Sequence, residues 1–321
     1  MGPAEFTPEV FARLLKSGVR LVQWGGPHPR QPDAAHLVAE VQATVAQFGS
    51  HGDLFRLVRR RQDLADLEIT RSVYVVLTVQ NPGAIGEAWS RLDELWDAGV
   101  RVIQLAYWDC ERYGCGFLAP EDTGLTLAGQ EFLRQIAARG FILDLSHAGP
   151  RTALEAAQAY QGRLMISHTG SRTVYDYPRN APDQVIRLVG ARDGIVGVYT
   201  MTFFLNGADN SISPWLIHVQ YVADLVGADH VAIGSDAPVA GCPDVEATRA
   251  GFLRLAKALD ATGRLQGVLA PRWPAFIPEL NGTDRFAVLA EALRPYFSHR
   301  QRQGIVGQNA LRFYRSALPQ E

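Results

Sequence analysis

Cysteine is scarce in this chain. Its three residues, Cys110, Cys115 and Cys242, make an odd count that argues against a disulfide framework and fits a reducing cytoplasm. In loops after strands they are expected as free buried thiols, with a ligand or nucleophile as the alternative. Charge imbalance is absent as well. The formal net charge is −2, so no electrostatic argument favours nucleic acid or an anionic membrane as partner. No apolar run approaches a membrane span, and the first residues lack the basic-then-apolar pattern of a secretion signal. Repeats, low-complexity tracts and linkers are missing too. The 321 residues, 47% hydrophobic and 20% charged, are therefore expected to form one domain with a large core.

Short apolar runs alternate with segments of helical composition. Strands are expected at Val19–Trp24, Val73–Val79, Val100–Ala106, Phe141–Leu145, Leu164–Ile166, Ile195–Tyr199 and His230–Ile233. Helices are expected between them, among them Pro8–Lys16 with Thr7 as N-cap, Ala34–Phe48 and Asp53–Ala65. The Arg59-Arg60-Arg61 stripe on the last of these reads as a solvated helix face. A helical tail ends the chain. Seven strands alternating with helices is a parallel-sheet pattern, and the loops after such strands form the active face. The residues to watch there are Trp24 and His28, then Gln80, Tyr107, His147, His168, Tyr199 and Asp236.

Two of those strands share an ending. FILDLSHAG and GRLMISHTG each pass from an apolar run into Ser-His, at Ser146-His147 and Ser167-His168, with the helical spacer Arg151–Gln161 between. A lone buried imidazole is more often a hydrogen-bonded core residue. The same ending on successive parallel strands instead places two imidazoles to meet, on one metal ion or one substrate. His218 and His230, on a helix and at a strand start, read as structural.

These segments carry a resemblance to the membrane (renal-type) dipeptidase family, whose members are binuclear zinc (β/α)-barrel hydrolases. FILDLSHAG and RLMISHTG are similar to the strands bearing that family's distal-metal histidines. YPRNAPDQVIRLV resembles its arginine-asparagine stretch, and HVQYVADLVGADHVAIGSD its last barrel strand; GLTLAGQEFLRQI and GQNALRFY also fit. The resemblance implies a TIM-like α/β barrel of the metal-dependent hydrolase type. It further implies zinc ligation by His147 and His168, a substrate carboxylate held by Arg179, a water-proton role for Asp236, and a homodimer.

Departures from the family pattern are as informative. The His-x-Asp pair of the family's first strand would fall before Met1, so that strand is missing. The one His-x-Asp present, His51-Gly52-Asp53, sits between two expected helices and reads as coincidence. Gln80 stands where the family has its bridging glutamate, and a neutral amide does not hold two dications together. Tyr107 stands where it has a substrate-contacting histidine. The proximal metal site is therefore expected to be dismantled.

Asp236 is the natural third ligand, giving one zinc per chain at His147, His168 and Asp236 with an open position for water. In the alternative, no metal binds and a histidine acts directly as acid or base. Tyr107 is a candidate hydrogen-bond donor, Gln80 and Arg179 candidate substrate contacts, and His28 a weak replacement ligand. The expected activity is hydrolysis of an amide in a small carboxylate-bearing, amino-acid- or dipeptide-like substrate. The alternatives are a non-hydrolytic reaction on a similar substrate and a ligand-binding pseudoenzyme. The missing strand should leave two sheet edges. These either close directly, Val19–Trp24 against His230–Ile233, or are covered by a partner chain or the N-terminal residues.

Overall fold

The computed structural model describes residues 7–26, 32–206, 209–236, 241, 244–247, 249–250 and 276–320. His28 and Cys242 lie outside them.

An eight-stranded parallel sheet organises the chain. Its strands are β1 (Leu21–Trp24), β2 (Phe55–Leu57), β3 (Val73–Gln80), β4 (Val100–Gln104), β5 (Ile142–Asp144), β6 (Leu164–Thr169), β7 (Ile195–Val198) and β8 (Val231–Ile233). The hydrogen-bonded order runs β1-β3-β4-β5-β6-β7-β8, with β2 also paired to β3. β4 and β7 are buried along their whole length and β3 up to its last residue. This is why they read as mainly apolar runs rather than alternating ones, with Arg101 and Gln104 as buried polar exceptions on β4. Helices pack outside the sheet, among them Leu127–Ala138, Pro150–Ala159 and Asp183–Ala191. The fold is a TIM-like α/β barrel whose wall, among the described residues, is left incomplete at one point.

Seven of the eight strands lie where the apolar runs place them, and the eighth corrects the sequence reading. Asp53–Ala65 is not a helix. Phe55–Leu57 pairs in parallel with Val73–Val75, Val58 N–H donates to Val75 O at 2.9 Å, and a 3-10 turn follows at Arg61–Leu64. Burying Phe55 and Val58 outweighs the helical composition of the segment. The Arg59-Arg60-Arg61 stripe is solvated as expected, but from a loop and this turn.

β1 and β8 are the two ends of the ordered sheet and do not pair. The expected direct closure of Val19–Trp24 against His230–Ile233 is not made, and residues 1–6, the other candidates within the chain, lie outside the described residues. Among the described residues the C-terminal tail reaches both sides of the gap. Asn309 Nδ2 donates to Ala228 O and Val231 O, each at 2.8 Å, at the β8 side. Tyr314 Oη donates to Gln23 Oε1 at the β1 side. Buried Ile305, Leu311 and Phe313 supply the packing. A helix does this because its own backbone groups are already paired, so only side chains need to reach the open edges.

Cys110 and Cys115 are joined in a disulfide, contrary to the free thiols expected. A crosslink spanning five positions needs no disulfide framework. It cinches one loop, whose residues Gly116 and Phe117 go on to meet the chain around His147.

Candidate active site

The strand ends place the candidate residues on one face of the sheet. His147 follows β5, His168 lies within β6, Asp236 follows β8, Gln80 ends β3 and Tyr107 follows β4. His147 and Asp236 both have left-handed backbones, at φ 67° and 49°. That conformation is uncommon for residues other than glycine and collects at functional sites. Glycine makes room around His168. A Cβ on Gly197 or Gly234 would lie 2.0 Å from Ser167 O, so neighbouring backbone packs directly against this strand.

His147 Nε2 and His168 Nε2 are 3.0 Å apart, and Asp236 Oδ1 is 3.7 Å from His168 Nε2. The three ligand atoms lie within 4.8 Å of one another. Among the described residues this is the one cluster of three or more His, Cys, Asp or Glu able to hold a metal. His51 instead caps the end of the helix Ala34–Ser50, and neither it nor Asp53 belongs to this cluster.

A polar relay fixes the tautomer of His168. Asp144, fully buried on β5, accepts from the backbone N–H groups of Ser146 at 3.0 Å and Ser167 at 2.9 Å. It also accepts the Ser167 hydroxyl proton. Having given that proton away, Ser167 Oγ can only accept from His168 Nδ1, 2.7 Å distant. Nδ1 thus carries the hydrogen and Nε2 presents its lone pair toward His147. Two facing imidazole nitrogens at 3.0 Å repel unless a proton or a cation lies between them. Two neutral imidazoles and a carboxylate, one ring oriented from behind by a carboxylate-serine relay, form a donor set that fits zinc.

Electrostatics keep the imidazoles neutral. Burial, then the charges of Arg179 and His168, hold His147 well below its ordinary range. Burial and Arg179 do the same for His168. Asp236 keeps about 30% of its side chain exposed, yet the protein packed around it pushes its carboxyl up to about 6 against the pull of Arg179. Tyr107 stacks on His147 with ring centres 4.2 Å apart and planes 14° from parallel. Burial, followed by the charge of Asp236, raises its phenol far enough that it stays a hydrogen-bond donor.

Arg179 is buried at 4% exposure, and its Nε and Nη2 have no hydrogen-bond partner. Its guanidinium carbon lies 5.5 Å from the Phe117 ring centre and 5.7 Å from that of Tyr199. Next to it, Asn180 ties the loop down, accepting from Tyr199 Oη and donating to Tyr175 O and Phe204 O. A guanidinium held this way, with donors unspent, is a socket for an anion.

Gln80 sits at the rim. A Cβ on Gly25 would lie 3.1 Å from its amide nitrogen, and it shares one cavity with Tyr107, His168 and Asp236. It takes no part in the three-residue cluster. His218 and His230 are structural, as expected. Ser171 N–H donates to His218 Nδ1 while His218 Nε2 donates to Leu205 O; His230 Nδ1 bonds Gly194 O. Trp24 packs edge-on against Phe48. Sequence reasoning missed Asp144, Ser146 and Ser167 as a unit. The signal was present, since an aspartate inside the apolar run FILDL has to be paired when buried.

The model of the membrane dipeptidase family (peptidase family M19) matches residues 11–258. The chain belongs to this family. Among curated relatives of this dipeptidase-family chain, an uncharacterized protein in the pqqA 5' region of Klebsiella pneumoniae is 30% identical over 220 residues, covering 64% of this chain and 81% of that protein. An uncharacterized dipeptidase of Schizosaccharomyces pombe is 31% identical over 153 residues, covering 46% of this chain and 37% of that protein. The solved structure of an amidohydrolase from Pseudomonas aeruginosa superposes with a TM-score of 0.81 at 21% identity, covering 99% of each chain, and shares the fold. No helix among the described residues is long and apolar enough to cross a membrane.

Proposed function

We propose that this chain is a diverged dipeptidase-family enzyme that hydrolyses an amide bond in a small, carboxylate-bearing, amino-acid- or dipeptide-like substrate, with one zinc ion at His147, His168 and Asp236. The observation that carries the reading is Arg179, a buried guanidinium with unspent donors whose charge is felt by all three members of the cluster. Arg179 holds the substrate carboxylate bidentately and so orients the amide. A zinc ion bound there supplies a Lewis acid for the carbonyl and makes water more acidic. Tyr107 donates its phenolic hydrogen to the substrate. Asp236 takes the proton of the attacking water and returns it to the leaving nitrogen as the C–O bond forms and the C–N bond breaks. As a ligand, Asp236 is a weaker base than a free carboxylate. A second copy of the chain, as a homodimer, belongs to the same proposal; the cytoplasmic setting expected from the cysteine count is at odds with the Cys110–Cys115 disulfide.

Gln80 favours a second reading. With an amide where the family's resemblance implies a bridging carboxylate, the site suits a non-hydrolytic reaction on a similar substrate, or ligand binding alone. Metal analysis of the purified protein with a panel of dipeptides and N-acyl amino acids separates them. One zinc per chain, lost in His147→Ala and His168→Ala, together with hydrolysis supports the mononuclear hydrolase. No metal and no hydrolysis support the second reading, and two metals per chain overturn the single-ion site.

A further inference from the structure

The unpaired ends of the sheet enclose space. A cavity of about 1000 Å³ begins at Gln80, Tyr107, His168 and Asp236 and runs down between β1 and β8 to Leu67, Met165 and Ile195 at the opposite end of the strands. Along β1 it follows the backbone from Val19 to Gly25, roughly 20 Å at the rise of a strand. Its far wall is the C-terminal tail, at Ile305, Val306, Ala310 and Leu311. The volume lies at the upper end of the roughly 300–1,000 Å³ typical of small-molecule pockets, well beyond what a dipeptide fills. The lining follows β1 and β8 as a slot, with Arg20, Gln23 and Glu68 beside the apolar residues toward its lower end. The partly exposed apolar side chains Leu21, Val22 and Ile233 face a space continuous with the catalytic cluster.

We infer that this slot receives an extended hydrocarbon acyl arm, making the preferred substrate class N-acyl amino acids with long acyl groups. The inference rests on the hydrolase reading for its reaction, in which water adds to the acyl carbon and the amide C–N bond breaks. A free fatty acid and an amino acid leave. Arg179, which borders His147 in a smaller pocket beside the cavity, takes the amino-acid carboxylate, the cluster takes the amide, and the space between β1, β8 and the tail takes the chain. Apolar contact along the slot discriminates by length because each buried methylene adds a similar increment of transfer free energy.

The test compares N-acetyl-, N-octanoyl- and N-lauroyl-alanine, with hydrolysis and calorimetric binding measured in parallel on the zinc-loaded protein. The expected result is a rise in kcat/KM and in affinity of roughly two- to four-fold per added methylene. Val306→Trp and Ala310→Trp, on the partly exposed tail side of the slot, should abolish this length dependence while leaving acetyl-alanine hydrolysis unchanged. The length series on the unaltered protein stands even if a variant folds poorly. Length-dependent binding without cleavage would uphold the slot and overturn the hydrolase reading. Cleavage of acetyl-alanine or dipeptides with a flat length dependence would overturn the slot and leave the hydrolase reading standing. Absence of binding by any long-chain compound overturns the slot.

Discussion

His147 Nε2 faces His168 Nε2 across 3.0 Å, each ring delivered by its own strand end and neither of them charged. Two lone pairs at that distance repel, so either His147 Nε2 carries the hydrogen that the His168 lone pair accepts or a cation lies between the rings. The residues behind them are arranged to keep the His168 lone pair pointing there.

Asp144→Asn tests that arrangement. The amide keeps an oxygen for the two serine N–H groups but turns a donor toward Ser167 Oγ, whose proton must then swing to His168 Nδ1. The imidazole is forced into the tautomer that cannot ligate through Nε2. Zinc affinity should fall about 10- to 100-fold, and imidazole 15N shifts of His168 should report the exchanged tautomer. An unchanged tautomer would show that Asp144 merely fills space.

Arg179→Met separates binding from stability. A buried guanidinium without a partner costs folding free energy, so the melting temperature should hold or rise. Recognition of the carboxylate should fail, with kcat/KM falling by a factor of about 30 or more, as expected for truncating a buried charge partner worth about 2–5 kcal/mol. A variant that keeps full activity would remove Arg179 from the site.

Stability in mild acid depends on His218. Burial lowers its folded pKa to about 4, while the unfolded imidazole titrates near about 6.5. Above that value neither state is protonated, and the residue contributes no pH dependence. Between about pH 6.5 and 4 only the unfolded chain takes the proton, so stability falls with pH, by about 3 kcal/mol in all. In His218→Gln, denaturant titrations should show lower stability at pH 7 than the unaltered protein, and a gap that narrows as the pH drops. A constant gap would refute the assignment.

Tyr314→Phe removes the hydroxyl that reaches Gln23. Loss of one buried hydrogen bond should cost about 1 kcal/mol and lower the melting temperature by about 2–4 °C without changing the circular dichroism spectrum. A neutral result would mean that packing of the tail, rather than this bond, secures β1.

Much of this was legible in the sequence where a signal is local. Strands buried on both faces announce themselves as apolar runs, and the repeated Ser-His ending marks the cluster in the sequence alone. Phe55–Leu57 was hidden because three residues with Arg56 between two apolar ones satisfy a helix pattern as well as a strand pattern. The Cys110–Cys115 bond was hidden because a count of cysteines says nothing of two that one loop brings together. The filling of the gap was hidden for a different reason. It depends on Tyr314 meeting Gln23 across 291 positions, and no window of sequence contains both.

That same contact sets an order of events during synthesis. A ribosome delivers β1 well before the helix that braces its open edge, with 291 positions between Gln23 and Tyr314. Until then the strand has a neighbour on one side only, and the nascent protein carries an exposed seam that chaperones or premature self-association can reach. Stalling before Tyr314 is made should therefore be far more damaging than the number of contacts it withholds suggests.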